Sequence, residues 1–441
     1  MRKKLLIAAP LAGLLAFSLA VYPNLHAEAN GVQLKAPRAV EWREFLGVNA
    51  HFLWFPPEQY SKQMQQWKAL GLDWTRVDLH WDRHEPEQGK YRLGELDGVI
   101  KQLQQEQLKS VFYLVGSAPH ATSAPYGSPT PDQYPPKDPQ LFADAMSMFA
   151  KRYPSVDAWQ VWNEPNLPSF WRPHEDPVGY GRLLQVTAPA LRQAAPGKPV
   201  IMAGMAYYSQ MPVKGGLMLE ELGKLGVQQL GTVVAYHPYS QEPESDEPGA
   251  NDFILRSQQL NATLRGVQVP GIWATEWGWS SYNGPKELQE IIGTDGQADY
   301  LLRRLALMSA LDYDRIFLFA LADLDSRASA RDQHYGLLDL QGRPKPAYKA
   351  LKRFLKISGP RLEPSDPPAL AASIDDLYSI AWKREDGRNL WLFWSASGAE
   401  VQLTNVTRAL LHDPLTGDKQ TLEDANGLRF KGKPSLQMLV W

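Results

Sequence analysis

From residue 45 onward, short runs of apolar, β-branched and aromatic residues alternate with longer stretches whose apolar positions recur every three or four residues. The runs lie at 45–51, 74–80, 109–116, 157–163, 199–205, 232–238, 271–277 and 315–321. Segments of helical period follow them at 58–70, 93–107, 138–152, 177–194, 215–225, 252–265, 294–312 and 344–356. This order predicts parallel strands joined by crossover helices. Eight such units closing on themselves make an α/β fold, the (β/α)8 TIM barrel, whose ~250 residues plus insertions suit the stretch 40–358. An open doubly wound sheet would need a glycine-rich phosphate turn after its first strand. The residues after Gly47 read Val48-Asn49-Ala50-His51-Phe52 instead.

After Gly359 the pattern changes to short strands at 377–382, 390–395, 401–403, 409–412 and 436–440, separated by turns such as Glu385-Asp386-Gly387. A small C-terminal β-sandwich-like domain over 360–441 is expected. The loops after the barrel strands are long. The one at 117–137 holds six prolines, which lower the entropy cost of a fixed wall, and on a barrel this face carries the active site. The acidic stretch 242–249 reads as a solvated excursion.

At the other end, Arg2, Lys3 and Lys4 precede an apolar run at 5–21, with Ala27-Glu28-Ala29 after it. Residues 1–29 read as a signal peptide, or as an N-terminal anchor attaching the protein to the inner membrane through residues 5–21. Either way the body is expected to be exported, periplasmic or facing the periplasm. Asn261-Ala262-Thr263 and Asn405-Val406-Thr407 match the glycosylation pattern. Lys and Arg number 46 against 48 Asp and Glu, so no basic excess supports a nucleic-acid partner, and zero cysteine excludes disulfides and thiolate chemistry. Aromatics, at 11%, are the surplus, with Trp alone numbering 15.

Two segments concentrate chemistry at strand ends: Trp162-Asn163-Glu164-Pro165-Asn166 on the fourth strand and Thr275-Glu276-Trp277-Gly278-Trp279 on the seventh. A carboxyl among indoles is costly to ionise. Two such groups across a cleft suit glycosidic cleavage, in which one protonates the leaving oxygen and the other attacks the anomeric carbon or activates water. Sugar C–H faces stack on aromatic rings, which gives the flanking Trp residues a role.

These motifs resemble the clan A glycoside hydrolases. With Asn163-Glu164-Pro165, the small C-terminal β domain and the export signal, the chain looks like glycoside hydrolase family 39, in a branch of exported enzymes tied to bacterial exopolysaccharide synthesis. The resemblance spans about 40–440. It implies Glu164 as acid/base, Glu276 as nucleophile, Asn163 at the hydroxyl beside the anomeric carbon, His237 or Tyr239 as a partner of the nucleophile, and Arg76 as its support. It further implies a retaining, endo-acting enzyme on a mannose-containing polysaccharide, association with the synthesis machinery, and no cofactor. The pattern departs at strand eight, where many clan members carry Trp and this chain has Phe317-Leu318-Phe319-Ala320-Leu321.

Trp54, Trp81, Trp162, Trp171, Trp277 and Trp279 fall at or just after strand ends and are candidates for sugar stacking, whereas Trp67, Trp74, Trp159 and Trp273 read as core. His51, His80, His84 and His120 fall on the same face as sugar-bonding or internally bonded histidines, since no His-Glu-x-x-His metal pattern is present. The proposed substrate-binding set is Asn163, His237, Tyr239, Arg76, Trp277, Trp279, His80 and Trp171, with no metal. The alternatives are an exo-acting glycosidase of the same clan and a carbohydrate-binding protein on a catalytically lapsed barrel.

Overall fold

In the computed structural model, which describes residues 31–206, 212–213, 216–246, 249–285 and 291–441, the eight apolar runs are strands of one parallel sheet. They are β1 (Leu46–Asn49), β2 (Trp74–His80), β3 (Lys109–Val115), β4 (Ala158–Val161), β5 (Val200–Met202), β6 (Val234–His237), β7 (Ile272–Trp277) and β8 (Arg315–Leu318). Strand β8 pairs with β1, and the remaining gap is closed by an Ile201–Val233 bridge and a two-residue strand, Met205–Ala206, beside β6. The sheet is therefore a barrel.

The helices between the strands are α1 (Pro57–Lys68), α2 (Gly94–Gln105), α3 (Pro139–Arg152), α4 (Pro177–Ala194), α5 (Met218–Lys224), α6 (Asp252–Gly266), α7 (Gly293–Ala310) and α8 (Pro346–Ser358). Four of them begin with Pro, whose fixed φ and missing N–H suit the first turn. Asp138 and Asp176 cap α3 and α4 by accepting from the backbone N–H of Gln140 and Gly179.

Strand alternation divides the barrel interior into layers. The lower layer is apolar: Trp74, Val111, Ala158, Ile201, Val233, Ala235, Trp273 and Phe317 form one buried cluster. A Cβ on Gly47 would lie 2.5 Å from the Phe317 ring, so β1 leaves room there for its neighbour. Two residues further along their strands stand Asn49, Arg76, Tyr113, Gln160, His237 and Thr275, a polar layer that is buried throughout. Hydrophobic closure below thus supports hydrogen-bonding chemistry above.

The C-terminal strands are β9 (Arg361–Pro364), β10 (Leu377–Arg384), β11 (Asn389–Ser395), β12 (Glu400–Gln402), β13 (Arg408–His412), β14 (Lys419–Glu423), β15 (Arg429–Lys431) and β16 (Gln437–Val440). The main sheet runs β14-β13-β16-β11-β10-β9, and β12 pairs with β15 in a second, two-stranded sheet. Along β11 the side chains divide with period two: Leu390, Leu392 and Trp394 join the core continuous with the barrel, while Trp391 and Phe393 join the core inside the sandwich. The main sheet also takes in two short strands from before the barrel, Gln33–Leu34 on β10 and Val40–Glu41 on β9. Strands β14 and β15 escape the hydrophobic pattern because nearly all their side chains are exposed or half-buried and polar.

Two sequence features fare differently. The region 1–29 lies outside the described residues. Asn261 is buried, accepts from the Tyr236 hydroxyl at 2.7 Å and donates to the Leu311 carbonyl at 2.6 Å, so its glycosylation pattern is a coincidence of core packing.

Phe317 is fully buried where the apolar layer closes. Phe317→Ala is expected to lower unfolding free energy by about 3–5 kcal/mol in urea titrations. A loss under 1 kcal/mol would show that the layer does not bear on stability.

Candidate active site

Strict alternation would place only every second residue of a strand inside the barrel, yet Asn163 and Glu164 both reach the interior, as do Thr275 and Glu276. Local irregularities account for it. Trp162 and Glu164 adopt left-handed backbone conformations, φ 72° and 39°, held by the bonds Trp162 N–H to Leu114 C=O and Glu164 N–H to Gly204 C=O, each 3.0 Å. On β7 the register against β8 shifts between Ala274 and Trp277, a bulge that turns Glu276 inward beside Thr275.

Arg76 stands at the centre of the polar layer, 1% exposed. Its Nη1 donates to Glu276 Oε1 at 2.7 Å and Asn49 Oδ1 at 2.8 Å, its Nη2 to Asn163 Oδ1 at 2.8 Å, and its Nε to Gln160 Oε1 at 2.7 Å. The guanidinium lies 3.9 Å from the centre of the Tyr113 ring. Asn49 Nδ2 donates in turn to the Thr275 carbonyl at 2.9 Å.

Glu276 Oε2 accepts from the Tyr239 hydroxyl at 3.1 Å. His237 Nδ1 sits 2.8 Å from Glu164 Oε1 and 3.6 Å from Glu276 Oε2, and its Nε2 is 2.9 Å from the Thr275 hydroxyl. Because that hydroxyl can donate or accept, either ring nitrogen can carry the proton. His237 can therefore donate to an ionised Glu164 or accept from a protonated one. A Cβ on Gly204 would lie 2.0 Å from His237 Nε2, so the glycine leaves the imidazole its room.

The two carboxyls are buried alike, 8% and 7% exposed, but titrate in opposite directions. Burial raises Glu164, and His237 offsets only part of the effect. Burial also pushes Glu276 up, but the charges of His237 and Arg76 and the bonds from Arg76 and Tyr239 outweigh it, so Glu276 falls below the usual carboxylate range. Burial and the neighbouring Glu276 charge raise Tyr239 well above the ordinary phenol range, which keeps its donor proton in place. One carboxyl is biased towards the acid and the other towards the anion.

Beside the pair, His51 Nδ1 lies 3.0 Å from Asp78 Oδ1, and His80 Nε2 lies 3.3 Å from Asp78 Oδ2. Burial opposes both charges, yet the pairing raises His51 and holds Asp78 well down. His84 turns away and bonds the Arg92 carbonyl at 3.1 Å, so the spacing of His80 and His84 is not that of a metal pair. Ligand atoms of Glu164, His237 and Glu276 all lie within 4.8 Å of one another. That donor set could take a divalent cation, but the Arg76 guanidinium already bonds Glu276 and would repel one.

The structure thus brings together Glu164, Glu276, Asn163, His237, Tyr239 and Arg76, with His80 beside them through Asp78. The indoles lie deeper: Trp81, Trp162, Trp171, Trp277 and Trp279 are 0–3% exposed. Trp171 meets Trp162 and Tyr180 edge-on, and Trp279 Nε1 donates to the Ser240 carbonyl at 2.9 Å. They back the site and offer no open face, because a ring this large is retained in the core wherever the strand end is covered by its own loop. Trp54 is half-buried, and Phe319, beyond β8, is a half-buried ring edge-on to His51 and Tyr335.

The acidic loop 242–249 is likewise not a solvated excursion over its described part. Glu244 is 5% exposed and receives two 2.7 Å bonds from Arg303 Nη1. The motifs did not mark Asn49, Gln160 or Gly204, and they quoted Thr275 without giving it a role. Gln160 and Thr275, polar residues in the middle of apolar strands, carried the available signal.

Among solved structures sharing this fold is a family 39 glycoside hydrolase from the gut symbiont Bacteroides cellulosilyticus WH2, 20% identical, TM-score 0.69, covering 92% of this chain and 82% of that one. A GH30 endoxylanase from Clostridium papyrosolvens C71 is 10% identical, TM-score 0.61, covering 93% and 99%. A GH5_18 protein from Streptomyces cattleya in complex with Manb1-4GlcNAc is 18% identical, TM-score 0.52, covering 71% and 80%. The family model of glycoside hydrolase 42, beta-galactosidase, matches residues 52–124. No curated protein matches the sequence. At these identities the structural likeness is one of fold.

Removing one partner of a buried ion pair strands the other. Arg76→Met is expected to cost about 3–5 kcal/mol in urea unfolding, with part regained in Arg76→Met/Glu276→Gln. Additive losses in the double variant would contradict the coupling.

Proposed function

We propose that the protein is a retaining, endo-acting glycoside hydrolase of an exported, mannose-containing polysaccharide. The observation that carries the reaction type is the pair of carboxyls: an oxygen of Glu164 and one of Glu276 lie within 4.8 Å, nearer the ~5–5.5 Å of retaining enzymes than the ~6.5–9.5 Å that leaves room for an attacking water. The opposite titration of the two groups supports the division of roles. The fold neighbours and the family model, all named as glycoside hydrolases or their substrates' enzymes, support the activity class.

In this mechanism the Glu276 carboxylate attacks the anomeric carbon while Glu164 protonates the leaving oxygen. The glycosidic C–O bond breaks, and the sugar is held as an ester of Glu276. Glu164, now ionised and within reach of His237, takes a proton from water, whose oxygen displaces Glu276 from the opposite face. Net configuration is retained. Asn163, fixed by Arg76, is placed to meet the hydroxyl beside the anomeric carbon.

The sugar and the export rest on other grounds. The neighbours of the same fold include an endoxylanase, a beta-galactosidase and a Manb1-4GlcNAc complex, so fold alone does not choose the sugar. Mannose and association with exopolysaccharide synthesis follow from the family 39 branch that the motifs resemble. The cations and apolar block at residues 2–21 support export, with anchoring to the inner membrane as the alternative to cleavage.

Sized products from a panel of polysaccharides test the substrate and the endo mode: internal cuts give a ladder of oligosaccharides, whereas release of single sugars would establish exo action. Binding without turnover across the panel would make the protein a carbohydrate binder. On a cleaved glycan, kcat/KM is expected to rise as pH climbs through the depressed pKa of Glu276 and to fall as pH passes the raised pKa of Glu164; Glu164→Gln should abolish the alkaline limb. Glu276→Gly should lose turnover by about 10³-fold or more and recover with azide to give a product of inverted configuration. Inverted first products from the unaltered enzyme, read by NMR, would refute retention.

A further inference from the structure

Arg304 of α7, 0% exposed, is a buried arginine that the reaction does not touch. Its Nη1 donates to the Pro238 carbonyl at 2.7 Å, its Nε to the Pro243 carbonyl at 2.8 Å, and its Nη2 to the Glu242 carbonyl at 3.1 Å and to the Ser240 hydroxyl. Its guanidinium lies 3.4 Å from the centre of the Phe253 ring and 4.9 Å from that of Trp279. All four acceptors belong to the loop that leaves β6, and Pro238 is the peptide between His237 and Tyr239. Trp279, two residues beyond Glu276's neighbour on β7, closes the same loop by donating to the Ser240 and Gln241 carbonyls at 2.9 and 3.0 Å. The planar fork of an arginine fits this arrangement of carbonyls, and a lysine would reach at most part of it.

We infer that Arg304 is a positioning residue, which fixes the loop after β6 so that the Tyr239 hydroxyl is held on Glu276. The inference deepens the glycosidase reading, on which it rests for the part that Glu276 plays. A loop released from Arg304 lets Tyr239 move off the carboxylate, and the anion loses a donor.

The readout is therefore the titration of Glu276. Around that carboxyl stand His51 after β1, Arg76 of β2, Tyr113 of β3, Glu164 after β4, and His237 and Tyr239 at the end of β6. None of these residues is itself substituted in Arg304→Lys or Ser240→Ala, and among them Tyr239 sits on the loop that Arg304 holds. Carbon-13 NMR of carboxyl-labelled glutamate, with the Glu276 signal assigned by its absence in Glu276→Gln, follows the group whether or not a substrate is known. In Arg304→Lys the Glu276 midpoint is expected to rise by about one pH unit, as it does in Tyr239→Phe, and to rise no further in Arg304→Lys/Tyr239→Phe. Ser240→Ala, which removes one acceptor and leaves the arginine in place, should give a smaller shift of the same sign and carries the test if Arg304→Lys fails to fold by circular dichroism. An unmoved midpoint in folded Arg304→Lys, or shifts that add in the double variant, would overturn the role. If no glycan is turned over by the unaltered protein, the glycosidase reading fails while the titration still decides the role of Arg304.

Discussion

A single buried guanidinium organises the interior of this barrel. Arg76 projects from β2 and donates to side chains from β1, from β4 and the turn after it, and from β7. An ion of this kind removed from water is costly unless each donor finds a partner and its charge is met. Here Glu276 meets the charge, and three amide side chains take the remaining bonds. The same contacts fix Asn163 beside the Glu164–Glu276 pair and, through Asn49, tie β1 to the carbonyl of Thr275. The requirement to satisfy one cation thus fixes the relative positions of four strands and of the proposed nucleophile together.

Placing two carboxyls so close creates a problem of like charge, and the surroundings resolve it by asymmetry. Both are almost equally buried, so desolvation alone would raise both. His237, Arg76 and Tyr239 together outweigh desolvation at Glu276, whereas at Glu164 His237 offsets only part of it. Chemistry that needs one acid and one anion follows from where the donors stand.

Much of the barrel was legible in the sequence, because its strands are apolar runs of the right length and its helices carry a clear period; the expected 177–194 helix is α4 to the residue. Glu164 and Glu276 stood out because each interrupts such a run beside tryptophan. What the pattern did not carry is the departure from strict alternation. Left-handed φ at Trp162 and Glu164 and the bulge on β7 admit adjacent residues to one face, which no period-two reading anticipates. Composition also misled. Five of the six tryptophans near strand ends that suggested open platforms are covered, and an acidic run suggested water but contains a buried Glu244 gripped by Arg303. For Glu244 the deciding partner lies far away in sequence.

The two-sided burial of the C-terminal sheet bears on how such a protein could have been assembled. Strand β11 sends alternate side chains into the barrel's core and into the sandwich, and the Tyr378 hydroxyl of β10 reaches Asn251 at the head of α6, 2.5 Å away. The strands Gln33–Leu34 and Val40–Glu41 bind the start of the described chain into the same sheet. A unit fastened at both ends of the barrel sequence is no detachable accessory. It cannot be exchanged for another module by simple fusion at residue 359, and its sequence is free to drift only as fast as the barrel surface it covers.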